Sequence, residues 1–199
     1  MDWKKTGPEF AERFEHFAFD EVVNEDGQQL PGETRYLAIL ATLIGCGGVD
    51  AYEEILPRAM ENGVFSRSGI ALPLPGQATT TMENRLEKGV AAQAAIFGDR
   101  MKEAWKQSHI NRWLADNCFG DYYTRNGLNG QEREMITFCF LLAQGGCENQ
   151  LRGHTAGNFG VGNGKEKLYS VVEQCMPYIG YPRSLNAMSI IDEIAAKEK

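Results

Sequence analysis

Three side chains in the C-terminal half can carry chemistry, and their spacing says which kind. His154 offers an imidazole that exchanges a proton near neutral pH. Glu134 stands twenty residues upstream, with a Gly145-Gly146 pair between the two. If that pair hinges two antiparallel helices, Glu134 lies within about one turn of His154, on the order of 5 Å along the axis. A carboxylate there orients or charges the imidazole. The bland alternative for Glu134 is an exposed acid favoured by the helix dipole, and Glu132 is the fallback carboxylate. Cys147 follows the hinge, at a helix start where the dipole lowers a thiol pKa. His154, seven residues on, is on the order of 10 Å away along a straight helix, too far for a direct hydrogen bond. The bland reading of Cys147 is a small, half-buried turn residue. Gln150, one turn before His154, can place its amide beside the imidazole.

An anionic substrate needs cations. Arg183 follows Pro182 at a helix start, where guanidinium charge joins free backbone N–H groups. Arg133 and Arg85 are further candidates, and Tyr178 and Tyr181 are expected to line the same pocket. Each is individually more common as a surface or ion-pair residue. His16, His109 and His154 are scattered without zinc-ligand spacing, so no metal is expected, and no other cofactor is implied. Gly157–Gly164 (GNFGVGNG) follows a helix rather than a strand and reads as helix-end chemistry, not a nucleotide fingerprint. Cys139 and Cys175 lie in apolar helices and read as core.

The elements that must position these residues are helical. Apolar residues recur at helical spacing over 10–23 and 37–44, then in the stretch MENRLEKGVAAQAAIFGDRMKEAW and through INRWLADNCFGDYYT. Helices are expected over 130–143, 148–158 and 165–176, with a terminal helix opened by Pro182. Asp50 is expected to cap a helix over 51–62 that ends at Gly63. Residues 65–81, with Pro73, Pro75 and Gly76, form the one long break. No strand pattern competes, and the fold class is all-α.

The chain also repeats itself. Gly32–Val64 and Gly130–Val161 share a Gly, an Arg three residues on (Arg35, Arg133), an apolar run, a Gly-Gly pair (Gly47-Gly48, Gly145-Gly146) and an Ala-x-x-x-Gly-Val ending. With one residue dropped after the Gly pair, Glu134 aligns with Tyr36, Cys147 with Val49 and His154 with Pro57. The pattern predicts a duplicated helical-hairpin bundle, with a first, incomplete repeat over 1–72, a linker over 73–82 and a second, complete repeat over 83–199. The first copy is bland and the second carries the chemistry.

Composition sets the outer bounds. A chain of 199 residues with a formal net charge of −7 and scattered basic residues argues against nucleic-acid or anionic-membrane partners. The longest apolar run, 36–44, is too short to span a bilayer, and the N-terminus lacks a secretion signal. Five widely spaced cysteines without C-x-x-C fit reduced thiols in a cytoplasm.

Three stretches in order, ENRLEKGVAAQAAIFG, FGDYYTRNGLNGQEREMITF and PYIGYPRSLNA, together with the Gly-Gly turn and His154, resemble the carboxymuconolactone decarboxylase family. Residues 83–187 resemble a full single-domain member; the first copy resembles the core hairpin alone. The resemblance implies an all-α fold and a homo-oligomer, for a tandem chain a trimer built as a pseudo-hexamer. It also implies one of two chemistries. One is decarboxylation of a small anionic lactone or keto acid by His154 and Glu134. The other is thiol-dependent peroxide reduction of the alkyl hydroperoxidase D type through Cys147. That type uses a C-x-x-C pair, and Gln150 stands where its second cysteine would be. A third reading is a non-enzymatic oligomeric binder of small molecules.

Overall fold

A computed structural model describes residues 3–64 and 77–197. The expected break at Pro73, Pro75 and Gly76 lies almost wholly outside the described residues. Among the described residues all regular structure is helical, so the fold is all-α. None of these helices is long and apolar enough to cross a membrane.

The N-terminal segment comprises α1 (Trp3–Thr6), α2 (Pro8–His16), a π-helical turn (Phe17–Glu21) and α3 (Val22–Asn24). Two helical hairpins form the centre. The first joins α4 (Gly32–Cys46) to α5 (Val49–Glu61); the second joins α8 (Gly130–Gln144) to α9 (Glu148–Gly160). Between them run α6 (Arg85–Phe97), two 3-10 turns (Asp99–Lys102 and Ala104–Lys106), α7 (His109–Trp113) and a π-helical stretch (Leu114–Tyr123). Helices α10 (Lys165–Ile179) and α11 (Tyr181–Ala195) close the bundle.

The first helices of the two hairpins, α4 and α8, pack directly on each other. Gly45 permits this, because a Cβ there would stand 2.9 Å from the Phe140 carbonyl oxygen. Around the contact lies a core of Ala38, Ala41, Met135, Phe138, Leu142, Leu168, Val171 and Ile191, shared by α4, α8, α10 and α11. Cys139 and Cys175 are fully buried in this core. A smaller cluster of Tyr36, Ile39, Leu40, Leu43, Ile55 and Ala59 belongs to the first hairpin. Arg35 ties the N-terminal segment down, donating to the Ala18 carbonyl (2.8 Å) and to Gln174.

Corresponding helices of the hairpins match in length, 15 residues for α4 and α8 and 13 for α5 and α9. Their register differs from the one read in the sequence. At the end of α5, Gly63 N–H donates to Met60 and Val64 N–H to Ala59. At the end of α9, Gly162 N–H donates to Phe159 and Asn163 N–H to Asn158. Gly63 (φ 89°) and Gly162 (φ 91°) occupy the same left-handed position, which glycine enters without steric cost. The cap therefore aligns Gly63 with Gly162, two residues from the alignment with Gly160. His154 then matches buried Ile55 rather than Pro57, and Cys147 matches the helix-capping Gly48 rather than Val49.

Three other expectations change. The pattern beginning at Met82 does not continue as one helix to Trp105; Gly98, at φ 86° and ψ 173°, ends α6. Residues 114–123 widen into a π-helix, pressed against α6 at Gly89 and Gly120, where any Cβ would collide with the Ala115 and Arg85 carbonyls respectively. Helix α5 starts two residues earlier than expected, at Val49, so Asp50 sits in the first turn and Gly48 is the cap.

Candidate functional site

Helix α8 begins with a capping box: the Asn129 side chain accepts from Glu132 N–H at 2.9 Å, and Glu132 accepts from Asn129 N–H at 2.9 Å. This fixes the start of the helix and commits Glu132, the fallback carboxylate, to the cap. Two residues on, Glu134 turns inward and is completely buried. His154 projects from α9, and its Nδ1 lies 2.9 Å from Glu134 Oε2. When the carboxylate is ionised it can only accept, and the bond then puts the proton on Nδ1 and leaves Nε2 with its lone pair.

Three features build that contact. Gly157, one turn after His154, is the first: a Cβ there would stand 2.5 Å from Glu134 Oε2. Only the missing side chain lets the carboxylate nestle against α9. Second, fully buried Asn158 donates to the Glu134 carbonyl (3.0 Å) and to the His154 carbonyl (2.7 Å). Asn163 extends the clamp, donating to Gln131 O and Asn158 Oδ1, both at 2.8 Å. Third, Phe97 of α6 meets the imidazole edge-to-face at 5.2 Å, with Phe119 and Tyr123 stacked behind it. These contacts restrict the ring to one orientation.

Exposure differs sharply within the pair: the His154 side chain is 17% exposed and that of Glu134 is 0%. Proton exchange with anything outside therefore passes through the imidazole. The carboxylate's influence reaches other neighbours. Burial, reinforced by Glu134, pushes the Cys118 thiol up, and the same two causes push the Tyr123 phenol far above its ordinary range. Both groups stay protonated at neutral pH.

The remaining candidates stand elsewhere. Cys147 caps α9 and donates its thiol proton to the Leu141 carbonyl (3.2 Å). Its pKa is raised, chiefly by burial and then by Glu148, against a smaller opposing effect of Arg183. Desolvation and Glu148 thus work against the lowering expected of the helix terminus. Gln150 is exposed and makes no hydrogen bond to His154.

The arginines expected to meet substrate each have partners within the chain. Arg133 donates to the carbonyls of Leu128 (3.1 Å), Tyr122 (2.9 Å) and Arg125 (2.5 Å), clamping the loop before α8. Arg85 bridges Asp116 (3.2 Å) and Asp121 (3.1 Å). Arg183 donates to the Ala143 carbonyl at the end of α8 and lines a small cavity with Cys147. Tyr178 belongs to the first-hairpin cluster and lines a different groove with Phe14, Phe19 and Ile55; Tyr181 is exposed. Neither is drawn to His154. Among the described residues no group of His, Cys, Asp and Glu is arranged to hold a metal ion.

Sequence reasoning missed Tyr123, Cys118, Phe97, Gly157 and the Asn158–Asn163 clamp. The signal for the clamp lay in GNFGVGN, where two asparagines flank the helix-ending glycines.

Fold and site together define a class: an all-α hairpin protein in which a buried carboxylate contacts a partly open imidazole. Residues 109–193, from α7 into α11, match the model of the Carboxymuconolactone decarboxylase family, to which this part of the chain is similar. That segment contains Tyr123, Glu134, Cys147 and His154, while the α4–α5 hairpin lies outside it. Over 126 residues the chain is 26% identical to a protein named 4-carboxymuconolactone decarboxylase from Acinetobacter baylyi (strain ATCC 33305 / BD413 / ADP1). The alignment covers 56% of this chain and 87% of that protein.

Proposed function

We propose that this chain is a carboxymuconolactone decarboxylase-like carboxy-lyase that acts on a small anionic lactone or keto acid, with His154 as proton carrier and Glu134 as its orienting carboxylate. The observation that carries the reading is the 2.9 Å contact between a fully buried carboxylate and a partly exposed imidazole. In the reaction, the bond between carbon and carboxylate breaks and CO2 leaves. The electron pair passes into a neighbouring carbonyl as an enolate. Imidazolium Nε2–H then delivers a proton to the carbon that lost CO2, and the imidazole regains a proton from solvent. No cofactor enters this balance. General acid catalysis of this kind contributes about 10²–10⁴-fold. Arg85, Arg133 and Arg183 are each engaged by carbonyls or carboxylates of the chain, so the step as written relies on none of them.

The raised thiol of Cys147 favours this reading over thiol peroxidase chemistry. The matched helix lengths and caps of the two hairpins support a tandem organisation, with a first repeat over 1–72 and a second over 83–199, and Ile55 where the second has His154. Exposed Ile110, Trp113, Leu114 and Tyr122 lie along one stretch and support a homo-oligomer, a trimer forming a pseudo-hexamer. Five free cysteines among the described residues fit a reducing, cytoplasmic setting.

CO2 release from 4-carboxymuconolactone and from a panel of small keto acids tests the reading. Turnover that is lost in His154→Ala and kept in Cys147→Ser supports it. Equal turnover in wild type and His154→Ala removes it.

A further inference from the structure

Glu134 poses a problem that the His154 contact does not solve. One oxygen, Oε2, meets the imidazole; the other, Oε1, is buried and has no hydrogen-bond partner among the described residues. A buried ionised carboxylate with a vacant acceptor is costly, and such groups ordinarily find a donor. The neighbouring groups able to donate come from the π-helical stretch. They are the Tyr123 hydroxyl, whose phenol feels the Glu134 charge, and the Cys118 thiol, a weak donor. From α6, Phe97 and Ile96 crowd the same Gly157 position as the carboxylate, and neither carries an ionisable group. From α9 the one ionisable neighbour is His154 itself. On α8, Thr137 lies three residues from Glu134, on the same face, and its hydroxyl contacts the Tyr123 hydroxyl.

In the Tyr123–Thr137 contact either oxygen can be the donor. If Thr137 donates, the Tyr123 proton is released for a second acceptor, and the orphaned oxygen of Glu134 is the acceptor at hand. We propose that Tyr123 is a positioning residue: Thr137 donates to Tyr123, Tyr123 donates to Glu134 Oε1, and the carboxylate so held keeps the His154 proton on Nδ1 and Nε2 open. This assignment gives the Tyr123 hydroxyl and both oxygens of Glu134 a partner, with one proton per bond. The π-helical geometry matters because it brings Tyr123 over α8, with Gly89 and Gly120 letting the stretch settle against α6. The upward-pushed phenol never competes as an anion; it remains a donor throughout the working pH range.

The proposal deepens the proton-carrier reading of His154, but its test needs no substrate, so loss of the relay and loss of activity are separable. The full chain, with nitrogen-labelled histidine, is titrated by NMR. In wild type the neutral ring of His154 shows the Nδ1–H form. Removing the donor in Tyr123→Phe makes the carboxylate more basic, so the His154–Glu134 pair holds its shared proton more tightly. Its titration midpoint rises by about one pH unit, the scale of a hydrogen bond to a charged group. A ring-fluorinated tyrosine at position 123, a more acidic donor of nearly unchanged shape, lowers the midpoint instead. Thr137→Val, which leaves the Tyr123 proton in place, moves it least. Opposite shifts for the phenylalanine and fluorotyrosine proteins establish the relay. Midpoints within about 0.2 units of wild type in both, with the fold intact by the remaining resonances, overturn it and reduce Tyr123 to packing.

Discussion

Gly157 sits where two expectations for one methyl group oppose each other. Inside a helix, Gly→Ala normally stabilises by about 1 kcal/mol, because alanine has less backbone freedom to lose. Gly153, on the same helix, has nothing within 4 Å of its would-be Cβ, so Gly153→Ala should realise that gain. For a protein of this size the gain appears as a rise in Tm of about 2–4 °C. At Gly157 the same methyl would stand 2.5 Å from Glu134 Oε2, 3.0 Å from Phe97 and 3.1 Å from Ile96. The carboxylate is fully buried and tied to His154, so it cannot swing into solvent. Overpacking costs about 1–3 kcal/mol, and weakening a charge-assisted hydrogen bond costs about 1.5–3 kcal/mol. Against the helix gain, Gly157→Ala should lose about 2–5 kcal/mol net. Thermal melts and denaturant titrations of both variants, run beside wild type, measure the pair. The two substitutions should move stability in opposite directions. If Gly157→Ala proves as stable as Gly153→Ala, the carboxylate does not occupy the space against α9, and the geometry of the site fails.

Further outcomes follow from the same structure. Tyr178 buries its hydroxyl without a partner among the described residues, so Tyr178→Phe should match or exceed wild-type stability by up to about 1 kcal/mol in denaturant titrations; a loss above that would reveal a missing partner. The Cys147 thiol is raised above its ordinary value of 9.0, so its alkylation rate, followed by peptide mass spectrometry, should still be climbing at pH 9, whereas a plateau below pH 8 would indicate an activated thiolate. On α11, Glu193 is held near a pKa of about 2 by Lys197 and Arg152, below its ordinary 4.5. A carboxylate with a depressed folded-state pKa stabilises the fold fully above 4.5 and loses that effect as pH falls toward 2. The stability difference between wild type and Glu193→Gln should therefore shrink across that window in acid-unfolding curves, and a difference that persists unchanged at pH 2 would refute the ion pair's role.

How much of this was legible in the residues differs from element to element. The hairpin about Gly145-Gly146 followed from helical periodicity and a glycine pair, and with it the nearness of Glu134 to His154. Local patterns carry that information because helix rise and turn length are fixed. The register of the two hairpins was misread by two residues at the caps, since Gly160 and Gly162 look alike in sequence and only backbone hydrogen bonds single out the left-handed one. Arg133 reads as a free cation because its partners are main-chain carbonyls, which leave no trace in side-chain identity. Tyr123 was missed because a π-helix shifts the face on which a residue emerges, and the shift comes from close packing against α6 rather than from the local sequence. The dipole argument for Cys147 weighed one effect; burial, which opposes it, depends on tertiary packing.

The claim at the centre is that a buried negative charge makes His154 a proton carrier. Glu134→Gln keeps the size of the side chain and removes that charge, so the kinetics of CO2 release by this variant on 4-carboxymuconolactone test the claim most directly. The account predicts kcat lower by about 10²-fold or more, with KM little changed and the fold intact. A kcat equal to that of wild type would contradict it.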